Sequence, residues 1–152
     1  MPDLSGGAAK RDELEALYRE VVLEHYRNPR HRAPLAHPSG EGRVVNPICG
    51  DQVHVEVALA GGKIADVSAR ARGCSIAVAS GSVMTELVLG ATPPEARALS
   101  DALGRVVRGE PWPGELDPRL RAFARVAELP SRQRCATLAW EALAEALAAP
   151  AP

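Results

Sequence analysis

Residues 53–71 constrain the fold of this chain more than any other stretch. Val53, Val55, Val57 and Leu59 alternate with His54, Glu56 and Ala58, the period-two pattern of a strand with one buried face. Gly61-Gly62 then supplies a hairpin turn, and Ile64 to Ala71 returns as the partner strand. A briefer β signal over Arg43 to Asn46 stops at Pro47. The expected product is a small three-stranded antiparallel sheet. Aromatic residues are only 3% of the chain against 46% hydrophobic, so Val, Leu, Ile and above all Ala must build the core. An Ala-rich core favours close helix packing over a large β-sandwich.

Helical periodicity surrounds the sheet. Leu14, Leu17, Tyr18, Val21, Val22 and His25 form one apolar stripe, ended by Asn28-Pro29 because the residue before proline is pushed out of the α region. A linker rich in Pro and Gly follows, ordered only if something holds it. After Gly73-Cys74 the period is again helical from Ser75 to Leu89. Thr92-Pro93-Pro94-Glu95 provides an N-cap with proline in the first turn for a helix reaching about Arg108. Asp117-Pro118 opens a short helix ended by Leu129-Pro130, and Ser131 is expected to cap the last one. The fold class is therefore α+β, a small three-stranded antiparallel sheet packed against about five helices. Residues 11–149 read as a single domain, with flexible tails over 1–10 and 150–152.

Several function classes drop out early. The 18 Lys and Arg against 19 Asp and Glu give a net charge of −1, which lacks the basic footprint that nucleic acid requires. No apolar run is long enough to span a bilayer, and the first ten residues lack an apolar signal core. A cytoplasmic protein is expected. The three cysteines, Cys49, Cys74 and Cys135, are odd in number and far apart, a poor disulfide framework but a reasonable set of free thiols or metal ligands. No CxxC pair is present, which excludes a thioredoxin-type redox motif.

Each cysteine falls at an element boundary: Cys49 in a turn before a strand, Cys74 between strand and helix, Cys135 in the first turn of the final helix. The partial positive charge of a helix N-terminus favours thiolate at Cys74 and Cys135. Cys49 and Asp51 flank Gly50, which permits an unusual backbone angle, so both side chains could reach one ion. Three thiolates and a carboxylate fit a tetrahedral zinc or an iron–sulfur cluster with one non-cysteine ligand. The composition alone does not choose between these, and three cysteines also fit as small buried hydrophobes.

The segments Cys49-Gly50-Asp51, Gly73-Cys74-Ser75 and Arg134-Cys135-Ala136, in that order, resemble the NifU/IscU N-terminal family of iron–sulfur cluster assembly proteins. The resemblance runs from about Leu17 to Leu147, and Glu24 to Arg30 resembles the end of the family's N-terminal helix. The match is to the SufU type. Arg134 stands where IscU-type scaffolds commonly carry His, Ser75 follows the second cysteine where they tend to carry Gly, and Gly109-Glu110-Pro111-Trp112 opens what looks like the SufU-specific insertion. Cys135 to Trp140 is also similar to the SufU ending.

The resemblance implies a SufU/IscU-like fold and a zinc-dependent sulfur acceptor in iron–sulfur cluster assembly. It implies Cys49, Asp51, Cys74 and Cys135 as ligands of Zn²⁺, and Cys49 as the acceptor of persulfide sulfur. The donor would be a SufS-type, pyridoxal-phosphate-dependent cysteine desulfurase, one of whose residues replaces Cys49 on the metal. Downstream SUF scaffold or acceptor proteins would receive the sulfur. Arg132 matches a family arginine near the metal that could steady Asp51 or a thiolate, or be a solvated helix-start residue.

Two alternatives use the same residues. One is an IscU-like scaffold binding a transient [2Fe–2S] cluster, and the other is a structural zinc module without transfer chemistry. Pro47-Ile48-Cys49 superficially resembles a zinc deaminase motif, but Gln52 stands where the second cysteine should be and no His-x-Glu precedes it. Four protein ligands would also leave no open position for a hydrolytic water. His25, His31, His37 and His54 are expected at surface or partner-facing positions. Arg27 to Arg43, with Arg119, Arg121 and Arg125, could form a docking face or a merely solvated one. Trp112 reads first as a packing residue under its loop and second as an interface residue.

Overall fold

The structure is a computed structural model that describes residues 4–112 and 115–148, with side chains from residue 11 onward. Residues 1–3, the expected tail at 150–152, and Pro113-Gly114 of the predicted insertion lie outside the described residues. The elements are α1 (Leu4–Arg27), β1 (Gly40–Val45), β2 (Gln52–Ala60), β3 (Lys63–Arg72), α2 (Ser75–Val88), α3 (Pro93–Val107), α4 (Pro118–Arg121) and α5 (Gln133–Ala148). Helix α1 starts at Leu4, so residues 4–10 of the expected loose tail are helical. Once the apolar stripe has fixed the helix, each further residue adds a hydrogen bond without a new nucleation cost, and Ala8, Ala9 and Lys10 are good helix formers.

The three strands form an antiparallel sheet in the order β1-β2-β3. In this register Val44 faces Val53 and Val53 faces Ala71, while Val55 faces Ala69 and Val57 faces Val67. The inner face is thus the predicted apolar row, and α5 and α2 lie against it. Gly42 lets α5 close on β1: a Cβ there would overlap the carbonyl oxygen of Ala142. Glu145 of α5 accepts the Arg43 N–H at 3.2 Å.

The linker between α1 and β1 is held along the sheet. Ala69 N–H donates to the His31 carbonyl (2.9 Å), Ser39 N–H to the Val57 carbonyl (2.6 Å), and the Arg70 guanidinium to the Arg32 carbonyl (3.3 Å). This cover buries Glu56 and Ser68 on the outer face. His31 takes a positive φ of 52°, a conformation that polar residues such as His adopt more readily than bulky apolar ones.

Helix α2 is the hub, buried on nearly every side from Ile76 to Val88, and its buried polar side chains, Ser80, Ser82 and Thr85, are all engaged. Ser80 Oγ donates to the Ala136 carbonyl and accepts from Trp140 Nε1 (3.2 Å), fixing α5 along α2. Ser82 Oγ lies 2.7 Å from His25 Nδ1 and accepts the Arg30 N–H at 2.9 Å, fixing the end of α1. His25 is therefore buried, at 5% exposure, which corrects its expected surface position; it is the polar end of the apolar stripe. Its Nε2 faces Glu86 at 3.4 Å.

Helix α3 begins with the predicted N-cap at Thr92, which the structure completes as a capping box with Glu95. The expected helix after Asp117 is one α turn continued as a 3-10 helix over Ala122–Glu128. Ser131 does not cap the last helix but sits in a 3-10 turn, Pro130–Arg132, that runs straight into α5. The Arg132 N–H donates to the Leu129 carbonyl at 2.8 Å and the Gln133 N–H to the Pro130 carbonyl, so the turn takes up donors that a side-chain cap would otherwise meet. Among the described residues no helix is long and apolar enough to cross a membrane.

Two glycines give opposite expected outcomes. Gly42→Ala should lower stability by about 1–3 kcal/mol through overpacking, whereas Gly81→Ala, whose Cβ would meet Ala139 at an ordinary 3.6 Å, should be neutral or gain up to about 1 kcal/mol from helix propensity. Urea titration of both variants checks this.

The second expectation concerns His25. Burial lowers its pKa, Arg30 and Arg119 add to this, and Glu86 and Glu24 oppose it. A depressed folded value means the unfolded chain takes up the proton first, so the stability is fully present above the ordinary histidine value and is lost as pH falls through the folded one. His25→Asn should flatten the fall of the urea midpoint between about pH 7 and pH 5; an unchanged slope would place the acid sensitivity elsewhere.

Candidate metal centre

Three separated segments meet at one end of the sheet. The first is the β1–β2 turn. Asn46 is buried; its N–H donates to the Asp51 carbonyl (2.7 Å), its own carbonyl accepts the Gly50 N–H (2.7 Å), and its Oδ1 accepts the Ile48 N–H (3.1 Å). Gly50 supplies the positive φ of 76° that closes the turn. Cys49 is left exposed at the turn, while Asp51 is only 3% exposed.

The second segment is the β3–α2 junction, where Cys74 is the N-cap of α2. Its N–H donates to Asp51 Oδ1 at 3.2 Å, and its Sγ lies 3.6 Å from Asp51 Oδ2. Gly73 makes that approach possible, because a Cβ at residue 73 would overlap both Oδ1 and Cγ of Asp51. The third segment is the start of α5, whose first turn carries the buried Cys135. Ala136, the next residue, is where Ser80 ties α5 to α2.

The ligand atoms of Cys49, Asp51 and Cys135 all lie within 4.8 Å of one another, and Cys74 joins them through Asp51. The four candidate donors of the sequence reading are thus together, around a buried carboxylate. Burial alone would raise the Asp51 carboxyl, but hydrogen bonds with Cys135, Cys49 and the Cys74 backbone and side chain hold it below the usual carboxylate range. Cys135 departs from the thiolate expected at a helix N-terminus: burial pushes its thiol far up, and Asp51 and Cys74 push it the same way. A helix terminus contributes about 1 kcal/mol, too little to offset that environment.

This donor set fits a metal. Three sulfurs and one carboxylate oxygen are a tetrahedral zinc complement, in which ligand atoms stand roughly 3–4 Å apart given zinc–sulfur bonds of about 2.3 Å. A bound cation would also reverse the charge balance that keeps Cys135 neutral.

Around the rim, Arg132 is exposed and its guanidinium lies by Cys74, whose hydrogen bond and negative charge raise it, with Cys135 and Asp51 acting the same way. Tyr18 of α1 is within electrostatic reach of Cys74 and Arg132, and burial is the main cause of its raised pKa. Sequence reasoning placed Tyr18 only in the helix core stripe, and nothing in its spacing distinguishes it. Asn46 and Gly73 were passed over as site-builders in the same way, although each lies within or beside the cysteine motifs.

Other expected features sit elsewhere. Arg30, Arg119 and Arg125 are engaged with carboxylates: Arg30 with Glu24 at 2.9 Å, Arg119 with Asp117 at 2.9 Å, and Arg125 with Glu128 at 3.5 Å. Trp112 is half-buried and packs on the core near Leu14, Leu17 and Leu116. A second cluster, Glu41, His54 and Glu56, lies on the outer face of the sheet. There Arg70 donates to His54 Nδ1 (2.8 Å) and to Glu56 (3.0 Å), leaving Nε2–H to donate to Glu41 (3.1 Å). The imidazole lone pair is already used, so this is a closed hydrogen-bond chain.

Comparison with known proteins agrees with this architecture. Residues 17–149 match the family described as NifU-like N terminal domain. The chain is 34% identical over 139 residues to the zinc-dependent sulfurtransferase SufU of Bacillus subtilis, covering 89% of this chain and 92% of that protein. It is 37% identical over 136 residues to the iron–sulfur cluster assembly scaffold protein IscU of Streptococcus pyogenes, covering 89% and 85%. The crystal structure of the N-terminal part of a NifU-like protein from Brucella abortus superimposes with a TM-score of 0.79 at 28% identity, covering 89% of this chain and 94% of that one. The chain belongs to the NifU-like N-terminal domain family, the SufU and IscU group of iron–sulfur cluster assembly proteins.

Gly73→Ala is expected to displace the Asp51 carboxylate and weaken zinc binding roughly 10- to 100-fold, the usual effect of disturbing the support of a metal ligand, with the far-ultraviolet spectrum unchanged. Competition with a chromophoric chelator measures this, and unaltered affinity would take Asp51 out of the metal site.

Proposed function

We propose that this protein is a zinc-dependent sulfur carrier, which accepts persulfide sulfur on Cys49 from a SufS-type cysteine desulfurase and passes it to downstream SUF scaffold or acceptor proteins. The observation that carries this reading is the unequal exposure of the donors: Asp51 and Cys135 are buried at 3% and 1%, while Cys49 is exposed. Asp51, Cys74 and Cys135 would anchor the ion, and Cys49 is the donor a partner can reach. A bound zinc would supply one thing, the stabilisation of thiolate at neutral pH without redox chemistry.

The transfer itself is balanced without any further reagent. The Cys49 thiolate attacks the outer sulfur of the desulfurase persulfide, a new sulfur–sulfur bond forms on Cys49, the old one breaks, and the desulfurase cysteine leaves as thiolate. The proton of the persulfide travels with the transferred sulfur. Arg132, beside Cys74, would hold compensating positive charge near the sulfurs while Cys49 is away from the metal. The similarity to SufU supports this reading, and the similarity to IscU keeps cluster assembly on the same four residues as the competing one.

Cys49→Ala should abolish stimulation of the desulfurase while circular dichroism and urea midpoint stay near wild type, since the residue is exposed. Unfolding of that variant would favour a structural zinc module, and full stimulation would remove Cys49 as the acceptor. Wild-type protein purified anaerobically should hold about one zinc per chain; iron with acid-labile sulfide in its place would favour the scaffold.

A further inference from the structure

The side chain next to the exposed cysteine has no role in the site as described. Ile48 is 94% exposed, the most exposed large apolar side chain among the described residues. A single exposed apolar residue is ordinary on a protein surface, but this one is not on a loose segment. Its N–H is held by Asn46 Oδ1 at 3.1 Å, and the turn is closed by the Gly50 N–H on the Asn46 carbonyl at 2.7 Å. Isoleucine is also stiff at χ1. The side chain is presented outward in advance, at little entropic cost on binding.

Its surroundings continue the same surface. Pro47 is exposed. Val45, Gln52 and Arg72 stand in one row across the end of the sheet, paired Val45 to Gln52 and Gln52 to Arg72, and all three are exposed. Val45 is the second apolar residue left open here, at 53%. Among the described residues neither Arg72 nor Arg132 has a carboxylate within ion-pairing distance. The tip is therefore apolar at its centre and cationic on its flanks.

We infer that Ile48 is the anchor by which the persulfide-bearing enzyme docks on this chain, seated in an apolar hollow beside the persulfide that is edged by carboxylates facing Arg72 and Arg132. The inference rests on the transfer reading and adds to it the residue that sets recognition. The geometric reason is short. For sulfur to pass, the incoming sulfur must come to bonding distance of Cys49, about 2 Å. The Cα of Ile48 is about 3.8 Å from that of Cys49, so the surface that encloses one must cover the other. Burying an isoleucine that is open beforehand strengthens association without touching the chemistry.

The test uses the full chain, zinc-loaded, with a purified SufS-type cysteine desulfurase. Ile48→Asp should raise the concentration giving half-maximal stimulation at least tenfold, with the maximal rate within twofold of wild type. Zinc content and persulfide uptake from glutathione persulfide, which needs no docking surface, should be unchanged. Ile48→Val should stay within threefold of wild type. A rise smaller than tenfold for Ile48→Asp overturns the inference, as does a loss of zinc or of uptake from the small donor, which would make Ile48 part of the site's own structure. Wild-type protein that neither binds nor stimulates the desulfurase overturns the transfer reading and this inference with it.

Discussion

A buried carboxylate has to be compensated, and Asp51 is the point at which this fold meets that requirement. Leaving such a group in a protein interior without partners costs several kcal/mol. Here its Oδ1 takes the Cys74 N–H, the side chain lies over Gly73, and the three thiols surround it. Those partners come from the β1–β2 turn, the start of α2 and the start of α5, and Cys135 lies eighty-four positions beyond Asp51 in the chain. The ends of three elements are consequently tied to one side chain, and none can shift without leaving the carboxylate short of a partner.

The arrangement depends on how α2 is held. A helix buried all round has no preferred rotation from amphipathicity alone, and polar contacts supply it. Ser80 sets α5 through Ala136 and Trp140, and Ser82 sets α1 through His25. Both serines are on the helix whose N-cap is Cys74. The same rotation that satisfies two buried hydroxyls therefore aims Cys74 at Asp51 and brings Cys135 alongside. Polar groups in an otherwise apolar core are expensive unless satisfied, and this makes the register of the helices specific.

What the sequence reveals follows from how local each signal is. The hairpin from Val53 to Ala71, the N-cap at Thr92 and the helix stop at Asn28-Pro29 are all read from neighbours within a few residues, and each is where it was expected. The grouping of Cys49, Asp51, Cys74 and Cys135 was legible through motif order and not through physics, since nothing local says that residues sixty apart will meet. Longer-range facts were hidden for the same reason. His25 reads equally as the end of a stripe or as a surface group until Ser82 is known to face it. Gly73 reads as a turn glycine until Asp51 is found against its Cα. The 3-10 turn at Pro130 was missed because a serine before a helix has the same appearance whether or not it caps.

The number and spacing of donors bear on which cargo the centre suits. Arg134, immediately before Cys135, offers only N–H donors and is drawn along α5 to Glu141 at 3.3 Å. The position at which IscU-type scaffolds commonly carry a histidine thus adds nothing here, and the donors are the four already described. Cys49, Asp51 and Cys135 lie within 4.8 Å of one another, close enough for one metal ion to touch all three, and Cys74 is in contact with Asp51. With two of the four donors in the core and one in solvent, a metal held here could keep its buried ligands while the exposed sulfur is released. That unequal anchoring is what the proposed transfer of one sulfur atom at a time requires.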